Sequence, residues 1–139
     1  MNNTTAAPTG YNPMLPLIGR ILMSAIFLIS GVRKALMFAG TVGYFTKLGF
    51  PAPTVMVVLA IILEVGGSIL LIVGWKTRYV AWLLALFVLI ATAMAHRFWE
   101  FDAAQYGNQM NHFLKNVAIL GGLMFVAAFG PGSASVEKS

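Results

Sequence analysis

The chain contains no cysteine, so it forms no disulfide, runs no thiol exchange of its own and cannot hold an iron–sulfur cluster by thiolates. Any redox role must borrow its chemistry from a cofactor or a partner. Charge is nearly as scarce: 9% of the residues are charged, against about a quarter in soluble domains. No ordinary water-soluble surface can be built from that inventory. Acidic groups are rarer still, four against nine Lys and Arg. The formal charge of +5 would suggest an anionic partner in a soluble protein. Here several cations sit in or beside apolar runs, which points to membrane anchoring and site chemistry, with no nucleic-acid partner.

What is abundant is apolar, 59% of 139 residues. A helical crossing takes about 20 consecutive mostly apolar residues, so the length permits four crossings and little else. The apolar runs lie near 14–36, 54–74, 77–96 and 112–130. The expected fold is an all-α membrane protein, a four-transmembrane-helix antiparallel bundle over 14–132, with a mobile N-terminal tail at 1–13 and a loose C-terminal tail at 133–139. Residues 1–13 contain no Lys or Arg, so they lack the basic region of a signal peptide, and the first run is expected to be retained as helix one.

Between the first two runs, Phe38 to Pro53 holds Gly40, Gly43, Gly49, Pro51 and Pro53, which predicts an interfacial loop. The short link Gly74 to Arg78 makes the second and third helices antiparallel neighbours, with Thr77 as a candidate N-cap. Arg97 to Asn111 joins the third to the fourth, and Gly130-Pro131-Gly132 ends the last. Trp75, Tyr79 and Trp82 fall at one membrane face, and Tyr44, Phe98, Trp99 and Tyr106 at the other, as two aromatic belts. An even number of spans puts both termini on one side. Arg20, Lys76, Arg78 and Lys138 lie there, against Arg33, Lys34, Lys47, Arg97 and Lys115 opposite. Lys76 and Arg78 form the densest short-loop pair, which favours cytoplasmic termini.

Charged side chains at membrane depth cost at least ~2.5–3.5 kcal/mol each on insertion scales, so those present need a reason. Glu64 lies about ten residues, or roughly 15 Å, into helix two, and is too short to snorkel. It must pair with a cation or hold a proton. Arg20 is the expected partner and Lys34 the second choice.

On helix one, Arg20, Ser24, Phe27, Gly31 and Lys34 form one stripe. Glu64, Gly67 and Gly74 share a face on helix two. Helix three offers Ala81, Ala85, Thr92 and His96, and helix four Lys115, Asn116, Ala118 and Gly122. These small and polar sides should face each other, since helices associate in lipid through close packing and interhelical hydrogen bonds. Lys34, His96, Lys115 and Asn116 then meet near the face opposite the termini, with Glu64 below them. The bland alternative is a structural ion pair. His96 and His112 are spaced unlike a metal motif, and the eight Met residues are scattered as packing residues, so no metal is expected.

An ordered set of short motifs runs through the four spans: Gly19-Arg20-Ile21-Leu22, Gly31 with Lys34, Gly40-Thr41-Val42-Gly43-Tyr44 and Leu48-Gly49-Phe50-Pro51. It continues with Leu63-Glu64-Val65-Gly66-Gly67, Gly74 before Thr77-Arg78, His96 with Phe98, Phe113-Leu114-Lys115-Asn116, Gly121-Gly122 and Gly130-Pro131-Gly132. From about Pro16 to Val136 this resembles the DoxX family of small bacterial inner-membrane proteins. Arg20, Lys34, Glu64, His96 and Asn116 match the family's characteristic positions. The family takes its name from a subunit of a quinol-oxidising membrane enzyme, so the resemblance implies an inner-membrane location and a membrane redox role.

The expectation drawn from residues and resemblance together is a redox accessory that binds quinone or a similar small apolar molecule, with a redox partner protein supplying electrons. Glu64 would handle the proton, Arg20 would tune it, and Lys34, His96, Asn116 and Lys115 would bind ligand oxygens. The alternative is a non-enzymatic permease or assembly module, acting as a homo-oligomer or beside a larger subunit, whose buried charges are structural. No nucleophile–base pair or phosphate loop suggests an autonomous enzyme.

Overall fold

The computed structural model describes residues 11–137; most of the expected N-terminal tail and Lys138 lie outside the described residues. Among the described residues, four helices are long and apolar enough to cross a membrane: Met14–Leu36, Pro53–Val73, Thr77–Glu100 and Ala103–Phe129. Helix α1 is Met14–Leu36, opened by Asn12, whose Oδ1 accepts from the Met14 N–H at 2.9 Å. Its last turn carries Arg33 and Lys34, which suit the negative end of the helix dipole.

The segment expected as an interfacial loop is instead a helix, α2, Phe38–Leu48. Gly40 and Gly43 face open space, so their cost is the ordinary loss of helix propensity, about 1 kcal/mol each. Burial offsets it. Phe45 packs with Val57 and Ala60, and its ring stacks on Phe50 with centroids 4.8 Å apart. The turn falls later, at Gly49, whose φ of 86° is left-handed.

The second span is not one regular helix. Pro53 opens α3, Pro53–Ile61, in the position where its missing N–H costs nothing. A π-helical turn follows over Ile62–Gly66, and α4, Gly67–Val73, ends at Gly74 with φ 74°. Helix α5 is Thr77–Ala95, and a 3₁₀ turn, Phe98–Glu100, follows it. Helix α6 is Ala103–Phe129 and begins nine residues before the expected start at 112. The apolar run hid that start, because the first turns are polar. Asp102 caps them, its Oδ1 accepting from the Gln105 N–H at 3.0 Å.

The bundle interior holds polar as well as apolar side chains, and its outside is apolar. Arg20, Ser24, Glu64, Ser68, Thr77 and Thr92 are buried, while Phe129 is 76% exposed and Leu22 69%, as lipid-facing side chains should be. The apolar part of the core is Phe27 from α1, Leu71 from α4, Leu84 and Val88 from α5, and Leu123 and Ala127 from α6. Gly67 lets Leu84 approach within 3.2 Å of where a Cβ would sit. On α6 the inward line runs through Asn116, Leu123 and Ala127, and the Ala118 expected there faces outward.

Candidate functional site

The two charges expected to pair do not meet. Arg20 Nη1 donates 2.8 Å bonds to the carbonyls of both Leu71 and Ile72, and Nη2 donates to the Ala134 carbonyl. Leu71 and Ile72 lie seven and eight residues past Glu64, roughly 10–12 Å along the helix. Antiparallel packing carries α1 past α4 in opposite register, so Arg20 reaches the last carbonyls of α4, which have no helical partner. The C-terminal segment, expected to be loose, is tied to the same place. Val136 and Glu137 donate their N–H groups to the carbonyls of Val73 and Gly74, each at 2.9 Å, and Glu137 Oε2 accepts from the Thr77 N–H at 3.1 Å.

Glu64 pairs with Lys34. Nζ lies 2.9 Å from Oε2 and donates to Oε1 at 3.1 Å and to Ser30 Oγ at 2.6 Å. Only the Oε1 contact is aligned as a hydrogen bond, so Oε2 is buried with acceptor capacity unused. The Glu64 side chain is 3% exposed and that of Lys34 21%. Local backbone explains the pairing. A Cβ on Gly31 would fall 3.0 Å from Glu64 Cβ and 2.8 Å from Val65 Cγ2, so glycine alone lets the π turn lie against α1. That close approach brings Glu64 beside Ser30 and Lys34. The π turn supplies the carboxylate, and such single-turn bulges recur at functional sites.

Glu64 and Lys34 line a cavity of about 440 Å³. His96, Lys115 and Asn116 line it from α5 and α6, so five of the six expected site residues share one cavity and Arg20 does not. The Asn116 amide donates to Thr92 Oγ1 at 2.9 Å, which ties α6 to α5. Lys115 Nζ lies 3.2 Å from His112 Nδ1, and the His112 and His96 rings stack with centroids 4.9 Å apart. Apolar side chains form the rest of the wall, among them Phe27, Phe45, Leu63 and Phe87. Ile26, Leu59 and Ile90 also line it and belong to the exposed, lipid-facing surface, so the cavity reaches the bilayer. Tyr44 of α2 lines its outer end. Burial pushes the Tyr44 phenol above its ordinary range, which keeps it a hydrogen-bond donor.

Three participants were not read from the sequence. Ser30 carried a signal, standing four residues before Lys34 on the same face. The π turn had only a faint one, the paired Gly66 and Gly67. Gln109, whose Oε1 lies 2.8 Å from His96 Nδ1, fell in a stretch expected to be a loop.

The model of the DoxX family matches residues 15–97, from α1 to the end of α5. The chain belongs to the DoxX family. It is 36% identical over 126 residues to the inner membrane protein YphA of Escherichia coli, covering 91% of this chain and 90% of that one. With the inner membrane protein YqjF of the same organism it shares 34% over 122 residues, 88% of each. The ER-derived vesicles protein ERV29 of Saccharomyces cerevisiae is 29% identical over 106 residues, 74% of this chain but 33% of that longer one. No solved structure matches significantly. The protein is a DoxX-family integral inner-membrane protein.

Proposed function

We propose that this DoxX-family protein binds a quinone, or an apolar molecule of similar size with carbonyl or hydroxyl oxygens, as an accessory subunit of a membrane redox system. The observation that carries the reading is the cavity of about 440 Å³, walled mostly by apolar side chains and lined also by Lys34, Glu64, His96, Lys115 and Asn116. That volume and that mix of apolar wall with a few convergent polar groups fit a small-molecule site. Its lipid-facing border suits a ligand that arrives from the bilayer.

A quinone oxygen needs hydrogen-bond donors, and its reduction needs protons. The Lys34 ammonium and the Asn116 amide donate. Glu64, whose Oε2 has acceptor capacity to spare, takes the proton of a reduced ligand's hydroxyl or returns it. Lys34 offsets the charge of the carboxylate at 2.9 Å. Electrons come from or go to a partner protein, since the chain has no thiol. With cytoplasmic termini, as Lys76 and Arg78 favour, the His96 end of the cavity faces the periplasm.

A second reading, a permease or assembly module, draws on the Lys34–Glu64 contact, which satisfies both charges without any ligand. Purification in mild detergent followed by solvent extraction separates the two. The redox reading expects near-stoichiometric quinone in the wild type and its loss from a well-folded Glu64→Gln variant. Lipid-replete protein that carries no quinone and takes up none when a short-chain analogue is added contradicts it.

A further inference from the structure

A second cavity, of about 390 Å³, adjoins the first. Tyr44, Leu48 and Ala95 line both. The outer one is also walled by Arg97, Glu100, Gln105 and Gln109, and the Arg97–Glu100 pair, 3.2 Å apart, is about half exposed. This is the aqueous side. Helix α6 has 27 residues, about 40 Å at 1.5 Å per residue against a hydrocarbon core of about 30 Å, so its first turns stand in the headgroup region or beyond. The inner cavity therefore borders the bilayer, and the outer one borders water.

One hydrogen bond joins a residue of the inner wall to a residue of the outer wall. His96 lines the inner cavity, Gln109 lines the outer one, and Nδ1 lies 2.8 Å from the Gln109 carbonyl oxygen. An amide oxygen only accepts, so Nδ1 carries the proton in the neutral ring and Nε2 is left as the basic atom. A histidine is the side chain suited to gaining and losing a proton near neutral pH. The charged and titratable groups nearest this ring are His112 stacked on it, Lys115 beside His112 and Arg97 next in sequence, and Tyr44 and the Lys34–Glu64 pair line the same cavity. Of the cations, Lys34 and Arg97 have acidic partners, and Lys115 has none among the described residues.

We propose that the outer cavity is the aqueous antechamber of the ligand cavity, and that His96 passes protons between the two while Gln109 acts as its positioning residue. The inference rests on the quinone reading for the identity of the proton donor. The step is acid–base only and moves no electron. The O–H bond of a bound ligand's hydroxyl breaks as an Nε2–H bond forms, giving an imidazolium, and that proton then leaves Nε2 for water that enters from the outer cavity across the border shared by Tyr44, Leu48 and Ala95, restoring the neutral ring. Gln109 keeps the exchange at Nε2 by holding the other nitrogen protonated.

The chain has two histidines, so ¹⁵N-histidine NMR of the full protein in nanodiscs resolves His96 once His112→Asn assigns the other. In wild type the expected neutral His96 is the Nδ1–H tautomer and exchanges its ring proton with water. Gln109→Leu should lose the single tautomer to a mixture, and Gln109→Glu, which keeps an acceptor, should restore it. An Nε2–H tautomer in wild type, a ring proton that does not exchange with water, or a Gln109→Leu spectrum like wild type would overturn the assignment. Adding a short-chain ubiquinol analogue tests the other reading. His96 signals that shift with it support both, whereas a correct tautomer and water exchange with no response leaves the relay standing and overturns quinone as the ligand.

Discussion

The two ends of this bundle bury charge in opposite ways. At the end nearer the termini, the two terminal nitrogens of Arg20 donate to main-chain carbonyls of Leu71, Ile72 and Ala134 while Nε has no partner among the described residues, the C-terminal segment closes over it, and Glu137 caps Thr77. At the other end, Lys34, Glu64 and Ser30 bond through side chains alone, an irregular turn presents the carboxylate, and a cavity opens beside it. The Leu71 and Ile72 carbonyls cannot move without unwinding α4, so the Arg20 end is a clasp. Side chains can trade one partner for a ligand atom. A buried charge is thus poor evidence of function until its partners are known.

Mutations can break this comparison. The largest expected effect is on Arg20→Met, which strands several buried carbonyls at about 1–3 kcal/mol each. Membrane abundance should collapse and the unfolding midpoint in detergent should fall by many degrees. Next is Gly31→Val, whose side chain enters the space held by Val65 and Glu64. Overpacking of this kind costs about 1–3 kcal/mol, and because it displaces the π turn, ligand capture should be lost from whatever folds. Glu64→Gln keeps the shape and leaves Lys34, 21% exposed, able to reach solvent. A modest drop in midpoint with loss of ligand is expected. The smallest is Glu137→Gln, which weakens a helix N-cap bond, where removing a cap outright is worth about 0.5–2 kcal/mol. Thermal unfolding should shift slightly and ligand content should stay constant. If Arg20→Met were to fold and lose only ligand, the contrast between the ends would fail.

The spans were legible because the bilayer demands length and apolarity from each, and Glu64, Lys34, His96, Lys115 and Asn116 were legible as a group because helical period and alternating direction bring them to one depth. Partner choice was not. Arg20 and Lys34 both lie on the stripe that faces Glu64, and which one reaches it depends on the slide between α1 and the second span. Gly31 sets that slide by close backbone approach. Helix α2 was hidden by its glycines, whose cost is small beside the burial of Phe45. The beginning of α6 was hidden because polar turns outside the hydrocarbon core carry no hydropathy signal, and Gln109 was missed with it.

The most direct test of the account measures both ends at once: thermal unfolding and binding of a short-chain quinone analogue, on purified wild type, Arg20→Lys and Glu64→Gln. The account predicts that Arg20→Lys, which keeps the charge but loses the fork that bonds several carbonyls, lowers the unfolding midpoint while its folded fraction binds the analogue as wild type does. Glu64→Gln should unfold near the wild-type temperature and bind at least tenfold more weakly. Equal binding by Glu64→Gln and wild type, with stability alone reduced, would contradict it and make both buried charges structural.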